Sequence, residues 1–229
     1  MKLIVVYIRC MRILCLILCL CSISLAHSYG QQQKDPARFR KEVDSIVALN
    51  QSVNKTNLVL FTGSSSMRMW SSLKSDFPKH NVVNMGFGGS EMADLLHYAN
   101  DIIVPLKPKK IFIYEGDNDI SFGRTIEEIL SAADSILIIV RKSIPDASVI
   151  FISAKPSISR WKLKPQYEAF NNALKDWTAT KKRVRFADVW TPMLNKNDAF
   201  KNDIFIKDGL HLNTKGYAIW TATLKKYLR

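Results

Sequence analysis

Beyond residue 21 the chain has no cysteine. All four, Cys10, Cys15, Cys19 and Cys21, lie within the first 21 of 229 residues, so the remainder can form no disulfide and offers no thiol nucleophile. Glycine (9) and proline (8) are too scarce for a collagen-like or low-complexity chain. Histidine is scarce as well. His27, His80, His97 and His211 are scattered, with no spacing that suits zinc, and the sequence asks for no metal or cofactor. No acid precedes Asp35. The basic residues outnumber the acids (33 against 20, net +13), yet they fall in separate short clusters such as Lys107-Pro-Lys109-Lys110 and Lys181-Lys182-Arg183. No aromatic-interleaved basic stripe is present of the kind that stacks bases, so the charge reads as a solvated surface and not as a nucleic-acid site. Hydrophobic residues at 47% and charged residues at 23% are ordinary globular values.

The opening segment carries Lys2, Arg9 and Arg12, then nine unbroken apolar residues from Ile13 to Cys21, then Ala26-His27-Ser28. A basic start, a short apolar run and a small-x-small exit describe a secretory signal over residues 1–28. An uncleaved anchor is the alternative, but a span needs about 20 mostly apolar residues, and Arg9 and Arg12 interrupt this one. Cleavage removes three basic residues, no acid and every cysteine. The expectation is an exported protein, periplasmic or extracellular, touching membrane only through residues 1–28 if these are retained, with one domain over 29–229.

Past a polar linker at 29–35, short apolar runs alternate with longer periodic segments. Strands are expected at 58–61, 82–83, 110–114, 149–153 and 184–187. Helices are expected at 36–50, 125–144, 165–180 and 214–228. The clearest is 125–144, where Ile126, Ile129, Leu130, Ala133, Ile136, Val140 and Ile144 form one stripe behind a Thr125 cap. Strand–helix alternation predicts a three-layer α/β/α sandwich around a five-stranded parallel, flavodoxin-like sheet. Its ligand crevice lies at the carboxyl ends of the strands.

Three stretches with unusual sequence fall where that crevice is expected, and a fourth enters just before the last helix. Gly63-Ser64-Ser65-Ser66 follows the first strand and can present a hydroxyl beside helix N-terminal amides; a plain loop or cap is the bland alternative. Asn84-Met-Gly86-Phe-Gly88-Gly89 follows the second. Its glycines permit close backbone approach, or simply a tight turn, and the phosphate-loop and dinucleotide spacings both fail. Glu115-Gly116-Asp117-Asn118-Asp119 follows the third, where Asn118 can aim an amide at negative charge or close an Asx turn. Asp208-Gly-Leu-His211 precedes the last helix, with the carboxylate one turn from the imidazole it can orient. A hydroxyl, a base, an orienting acid and extra donors together are what an acyl-transfer site requires.

These blocks resemble the SGNH (GDSL-like) hydrolase superfamily over about residues 58–220. Gly63-Ser64-Ser65 matches its Gly-Asp-Ser block, with Ser64 in place of the usual Asp. The resemblance implies Ser65 as nucleophile, with Ser66 as a neighbouring competitor. It also implies Asp208 and His211 as the remaining triad members, and Ser65, Gly89 and Asn118 as the oxyanion hole. The FTGSSSMRMW wording, with Trp70 read as core, is similar to the platelet-activating-factor acetylhydrolase-like esterases. The implied activity is a serine esterase acting on small-molecule or carbohydrate esters, with short acyl groups such as acetyl. A lysophospholipase or lipid acylhydrolase, or a non-catalytic exported binding module on the same fold, remains open. In the loop after the fourth strand, Lys155 and Arg160 read either as contacts for an anionic substrate group or as surface cations. Trp161 reads either as a sugar platform or as loop packing.

Overall fold

The computed structural model describes residues 34–229, and the segment 1–28 read as a signal lies outside them. Residues Asp35–Arg229 form one unit. Five parallel strands, β1 (Val59–Gly63), β2 (Val82–Gly86), β3 (Lys110–Tyr114), β4 (Ser148–Ile152) and β5 (Val184–Ala187), lie in the order β2-β1-β3-β4-β5. Parallel neighbours need crossovers, and the helices supply them on both faces.

Strand alternation sorts the apolar residues into two cores. Leu60, Val83, Met85, Ile111, Ile113, Val149 and Phe151 face one side. They meet α1 (Arg40–Leu49), α4 (Met92–His97), α5 (Ala99–Ile102), α7 (Ile126–Ser143) and α8 (Lys164–Ala179). Val59, Phe61, Phe112, Tyr114, Ile150 and Ile152 face the other side. There they meet α2 (Ser65–Arg68), α3 (Leu73–Asp76) and α9 (Thr214–Leu224). The remaining helix, α6 (Asp117–Ser121), caps the end of β3. Phe61 and Phe112 stack at 4.4 Å across neighbouring strands. Trp70, 1% exposed, packs on Tyr217 and Trp220 and is a core residue.

The long helices form where the periodicity puts them. In α7 the Thr125 hydroxyl accepts from Glu128 N–H while the Glu128 carboxylate accepts from Thr125 N–H, a closed capping box. Other elements differ from expectation at their ends. β2 runs to Gly86 instead of stopping at Val83, because Asn84, Met85 and Gly86 stay paired with Phe61, Thr62 and Gly63 of β1. α9 ends at Leu224 and tightens into a 3₁₀ turn at Lys225–Tyr227. α2, α3 and α6 are too short to carry a period, and periodicity alone did not reveal them. Among the described residues, no helix is long and apolar enough to cross a membrane.

Candidate active site

The carboxyl ends of β2, β1 and β3 lie side by side, with Gly63 registered between Gly86 and Tyr114. Gly63 has φ +129°, and a Cβ there would stand 2.0 Å from the Tyr114 carbonyl oxygen. Only glycine lets the chain turn out of β1 this close to β3. Ser64 N–H then donates to that same carbonyl at 3.1 Å. Ser65 begins α2 and is half-buried, so its hydroxyl stands at the edge of the sheet beside the first amides of a helix. Ser66, the neighbouring hydroxyl, is buried.

The last block reaches Ser65 from the far end of the sequence. Ser65 Oγ lies 2.8 Å from His211 Nε2, and His211 Nδ1 lies 2.6 Å from Asp208 Oδ2. The other carboxylate oxygen, Asp208 Oδ1, accepts from the backbone N–H groups of Leu210 and His211 at 2.8 and 2.9 Å. Burial works to raise the Asp208 carboxyl. The His211 bond and those two amides outweigh it and bring the carboxyl down to about 2. The loop is fixed from several sides. Gly209 takes φ +64°, its carbonyl accepts from Ser159 N–H at 3.1 Å, and Asn213 caps α9 directly behind. Tyr217, one turn into α9, donates its hydroxyl to the Ser66 carbonyl at 2.8 Å. The helix that follows the histidine is thereby bonded to the helix that carries the serine.

Gly89 and Asn118 adjoin each other, for a Cβ on Gly89 would meet Asn118 Nδ2 at 3.7 Å. Asn118 lies in the first turn of α6, after Gly116 at φ +102°. Its Nδ2 donates to the Ser90 carbonyl at 2.9 Å, and its Oδ1 accepts from Arg160 Nη2 at 2.9 Å.

Beneath Asn118 lies a polar layer that the sequence reading did not single out. Asp117 is buried, and its carboxylate accepts from Lys155 Nζ (2.9 Å), Tyr114 Oη (2.8 Å), Arg160 Nη1 (2.6 Å) and Tyr167 Oη (2.8 Å). Burial alone would raise this carboxyl. The Lys155 and Arg160 cations overcome that and hold it well below the carboxylate range. A second buried group, Glu91, Asp94, Glu115 and Asp119, backs the loop that bears Gly89. Burial pushes Asp119 up to about 7 and Glu115 well above its ordinary value. Ser90 Oγ donates to Glu115 Oε1 at 2.6 Å. The one signal for both layers was the density of acids in Glu115–Asp119, which a turn reading absorbed.

The loop after β4 bears on the alternatives held open for Lys155, Arg160 and Trp161, and for Trp161 it matches the loop-packing one. Lys155, 1% exposed, is neither a surface cation nor open to a substrate, because Asp117 binds it inside. Arg160 turns inward to Asp117 and Asn118. Trp161 stacks on Trp190, meets Phe200 edge-on and carries the Lys164 ammonium over its ring, so it packs the loop instead of forming an open platform. Among the described residues, no group of three or more His, Cys, Asp or Glu side chains could hold a metal ion.

The model of the GDSL-like lipase/acylhydrolase family matches residues 44–219. Among solved structures, a Streptococcus pneumoniae protein whose name refers to platelet activating factor is similar at TM-score 0.75 and 22% identity, over 92% of this chain and 99% of its own. A GDSL-like lipase from Bacteroides thetaiotaomicron is similar at TM-score 0.69 and 21% identity, over 85% of this chain and 98% of its own. An acetylxylan esterase from Geobacillus stearothermophilus is similar at TM-score 0.63 and 13% identity, over 75% and 94%. At these identities the likeness establishes the fold. No curated protein matches the sequence.

Proposed function

The chain belongs to the GDSL-like lipase/acylhydrolase family, which consists of carboxylic ester hydrolases, and from that premise we propose that it is a serine esterase working through Ser65, His211 and Asp208. One chain of contacts carries the reading: Ser65 Oγ to His211 Nε2 at 2.8 Å, and His211 Nδ1 to Asp208 Oδ2 at 2.6 Å.

With its Nδ1 proton held by Asp208, the imidazole offers Nε2 as a base. Ser65 Oγ attacks the ester carbonyl carbon while His211 takes the hydroxyl proton. The carbonyl oxygen becomes an oxyanion that accepts from the N–H groups of Ser65 and Gly89 and from Asn118 Nδ2. As the C–O bond to the alcohol breaks, His211 returns the proton to the leaving oxygen. A water then gives its proton to His211 and attacks the acyl-enzyme. The acid departs and Ser65 regains its hydrogen.

The substrate is a short-acyl ester, acetyl on a carbohydrate in the first instance. The fold shared with a protein named as an acetylxylan esterase supports that choice. The basic and apolar opening of residues 1–28 supports action outside the cytoplasm. The test is hydrolysis of p-nitrophenyl acetate, acetylated xylo-oligosaccharides and lysophospholipids by wild type and Ser65→Ala, with fluorophosphonate labelling alongside. Labelling and acetate release by wild type, both lost in Ser65→Ala, are expected. Undiminished hydrolysis by a folded Ser65→Ala protein would remove the serine mechanism. A wild type that neither labels nor hydrolyses would make the protein a binding module. Preference for the lipid would move the substrate class.

A further inference from the structure

Asparagine is a two-faced donor. Rotated by 180° about its last bond, its amide points the carbonyl oxygen where the nitrogen had been. At an oxyanion hole that rotation replaces attraction by repulsion. Two contacts select the orientation of Asn118. Arg160 Nη2 donates to Oδ1 at 2.9 Å, and Nδ2 donates one hydrogen to the Ser90 carbonyl at 2.9 Å. A guanidinium has no acceptor, so only the amide oxygen can face it. The second Nδ2 hydrogen is left for the side on which Gly89 lies, 3.7 Å from Nδ2 to a Cβ placed on that glycine.

The guanidinium is itself held. Its Nη1 donates to Asp117 Oδ1 at 2.6 Å and to the Asp117 carbonyl at 3.1 Å. The Asp117 carboxylate is in turn fixed by Lys155, Tyr114 and Tyr167. The Arg160 side chain is only 15% exposed, so water screens little of its charge. Lys155 and Arg160 share the one carboxylate of Asp117, so that carboxylate does not engage the guanidinium alone. A hydrogen bond from a charged donor is about twice as strong as a neutral one, and it draws electron density from Oδ1 and sharpens Nδ2–H as a donor.

We propose that Arg160 is a positioning residue of the oxyanion hole: it locks the Asn118 amide with nitrogen toward the substrate oxygen and polarises it, without touching the substrate. This rests on the serine-esterase reading, which the Ser65→Ala comparison tests separately. Losing a whole oxyanion donor costs roughly 10²–10³ in turnover. Loss of its orientation and polarisation costs less, about 10–100-fold in kcat for Arg160→Met, with KM within about twofold because ground-state binding is untouched.

The deciding experiment is a double-mutant cycle on p-nitrophenyl acetate with Arg160→Met and Asn118→Ala. With Asn118 absent, Arg160→Met is expected to cost less than about threefold, since its target is gone. Arg160→Lys keeps the ion pair with Asp117 but not the fork that reaches Asn118. It is expected to lose kcat in the same direction while melting near wild type, and it carries the test if Arg160→Met does not fold. Equal losses in both backgrounds, or a raised KM with unchanged kcat, would overturn the proposal. The second outcome would return Arg160 to a substrate contact. Loss of activity in Ser65→Ala together with equal Arg160 losses would leave the esterase standing and the positioning role refuted.

Discussion

Asp208→Asn separates an orienting carboxylate from a mere hydrogen-bond partner. The two acid oxygens are not equivalent. Oδ1 accepts from the backbone N–H groups of Leu210 and His211, while Oδ2 faces His211 Nδ1. An asparagine must keep its carbonyl oxygen where those two amides donate, because its NH₂ group would meet them hydrogen to hydrogen. Its NH₂ then faces His211 Nδ1, which becomes the acceptor. The remaining ring proton moves to Nε2 and points at Ser65 Oγ, and the imidazole has no lone pair left for the serine proton. The same substitution at a buried triad acid costs about 10⁴ in turnover. Here the Asp208 side chain is 43% exposed, so solvent screens its interaction with the imidazolium, and the expected loss in kcat/KM is roughly 10²–10³, or about 2.7–4 kcal/mol. The assay is p-nitrophenyl acetate hydrolysis at constant pH, with melting curves to verify folding. Because Asp208 is held down to about 2, wild type keeps this charge throughout the assay range, and its loss belongs to strong acid only. A folded Asp208→Asn enzyme retaining more than about a tenth of wild-type kcat/KM would refute the tautomer argument.

Three further outcomes follow from the same geometry. Gly63→Ala places a Cβ 2.0 Å from the Tyr114 carbonyl oxygen at φ +129°; a cost of about 4 kcal/mol, or on the order of 10 °C in Tm, is expected, and an unshifted melt would show that the turn can relax. Lys155→Met removes one of the two cations on buried Asp117 and should destabilise by about 3–5 kcal/mol in urea unfolding, whereas a neutral result would mean that Arg160 alone neutralises Asp117. Asp119 and Glu115 both have raised folded-state values, so their contribution is full below the ordinary carboxylate range and is lost as pH rises, for Asp119 between about 4 and about 7. The ceiling for Asp119 is on the order of 4 kcal/mol. Stability measured by urea should therefore fall from about pH 5 to pH 8, and less so in Glu115→Gln, which mimics the protonated acid. Equal stability at the two pH values would contradict the burial of these acids in ionisable form.

What could be read from the chain beforehand was local. Gly63 announces its turn because a residue leaving β1 beside the Tyr114 carbonyl has no space for a Cβ. Asp208 and His211 lie three apart, so one turn of backbone brings carboxylate to imidazole without help from elsewhere. The apolar runs of β1, β3 and β4 mark strands because burial on both faces leaves almost nothing to alternate with. β2 is longer than its apolar pair Val82-Val83 predicts, since Asn84 and Gly86 have no intrinsic preference for a strand. The Asn84 bond to Met67 and the close approach of Gly86 to α2 exist only after folding.

Lys155 shows where local reasoning stopped and what would have extended it. A lysine in a polar loop is ordinarily solvated, and its partner Asp117 is 38 residues away. The strand order supplies the missing step. β3 and β4 are neighbours, registered Ile113 to Phe151, so the loop leaving β4 must descend onto the short helix that follows β3. A lysine at 155 and an arginine at 160 then both meet the acid at 117. The order β2-β1-β3-β4-β5 was already implied by alternating strands and right-handed crossovers. Carried one step further, from strand order to loop neighbours, the sequence would have turned both cations inward toward Asn118 and away from solvent.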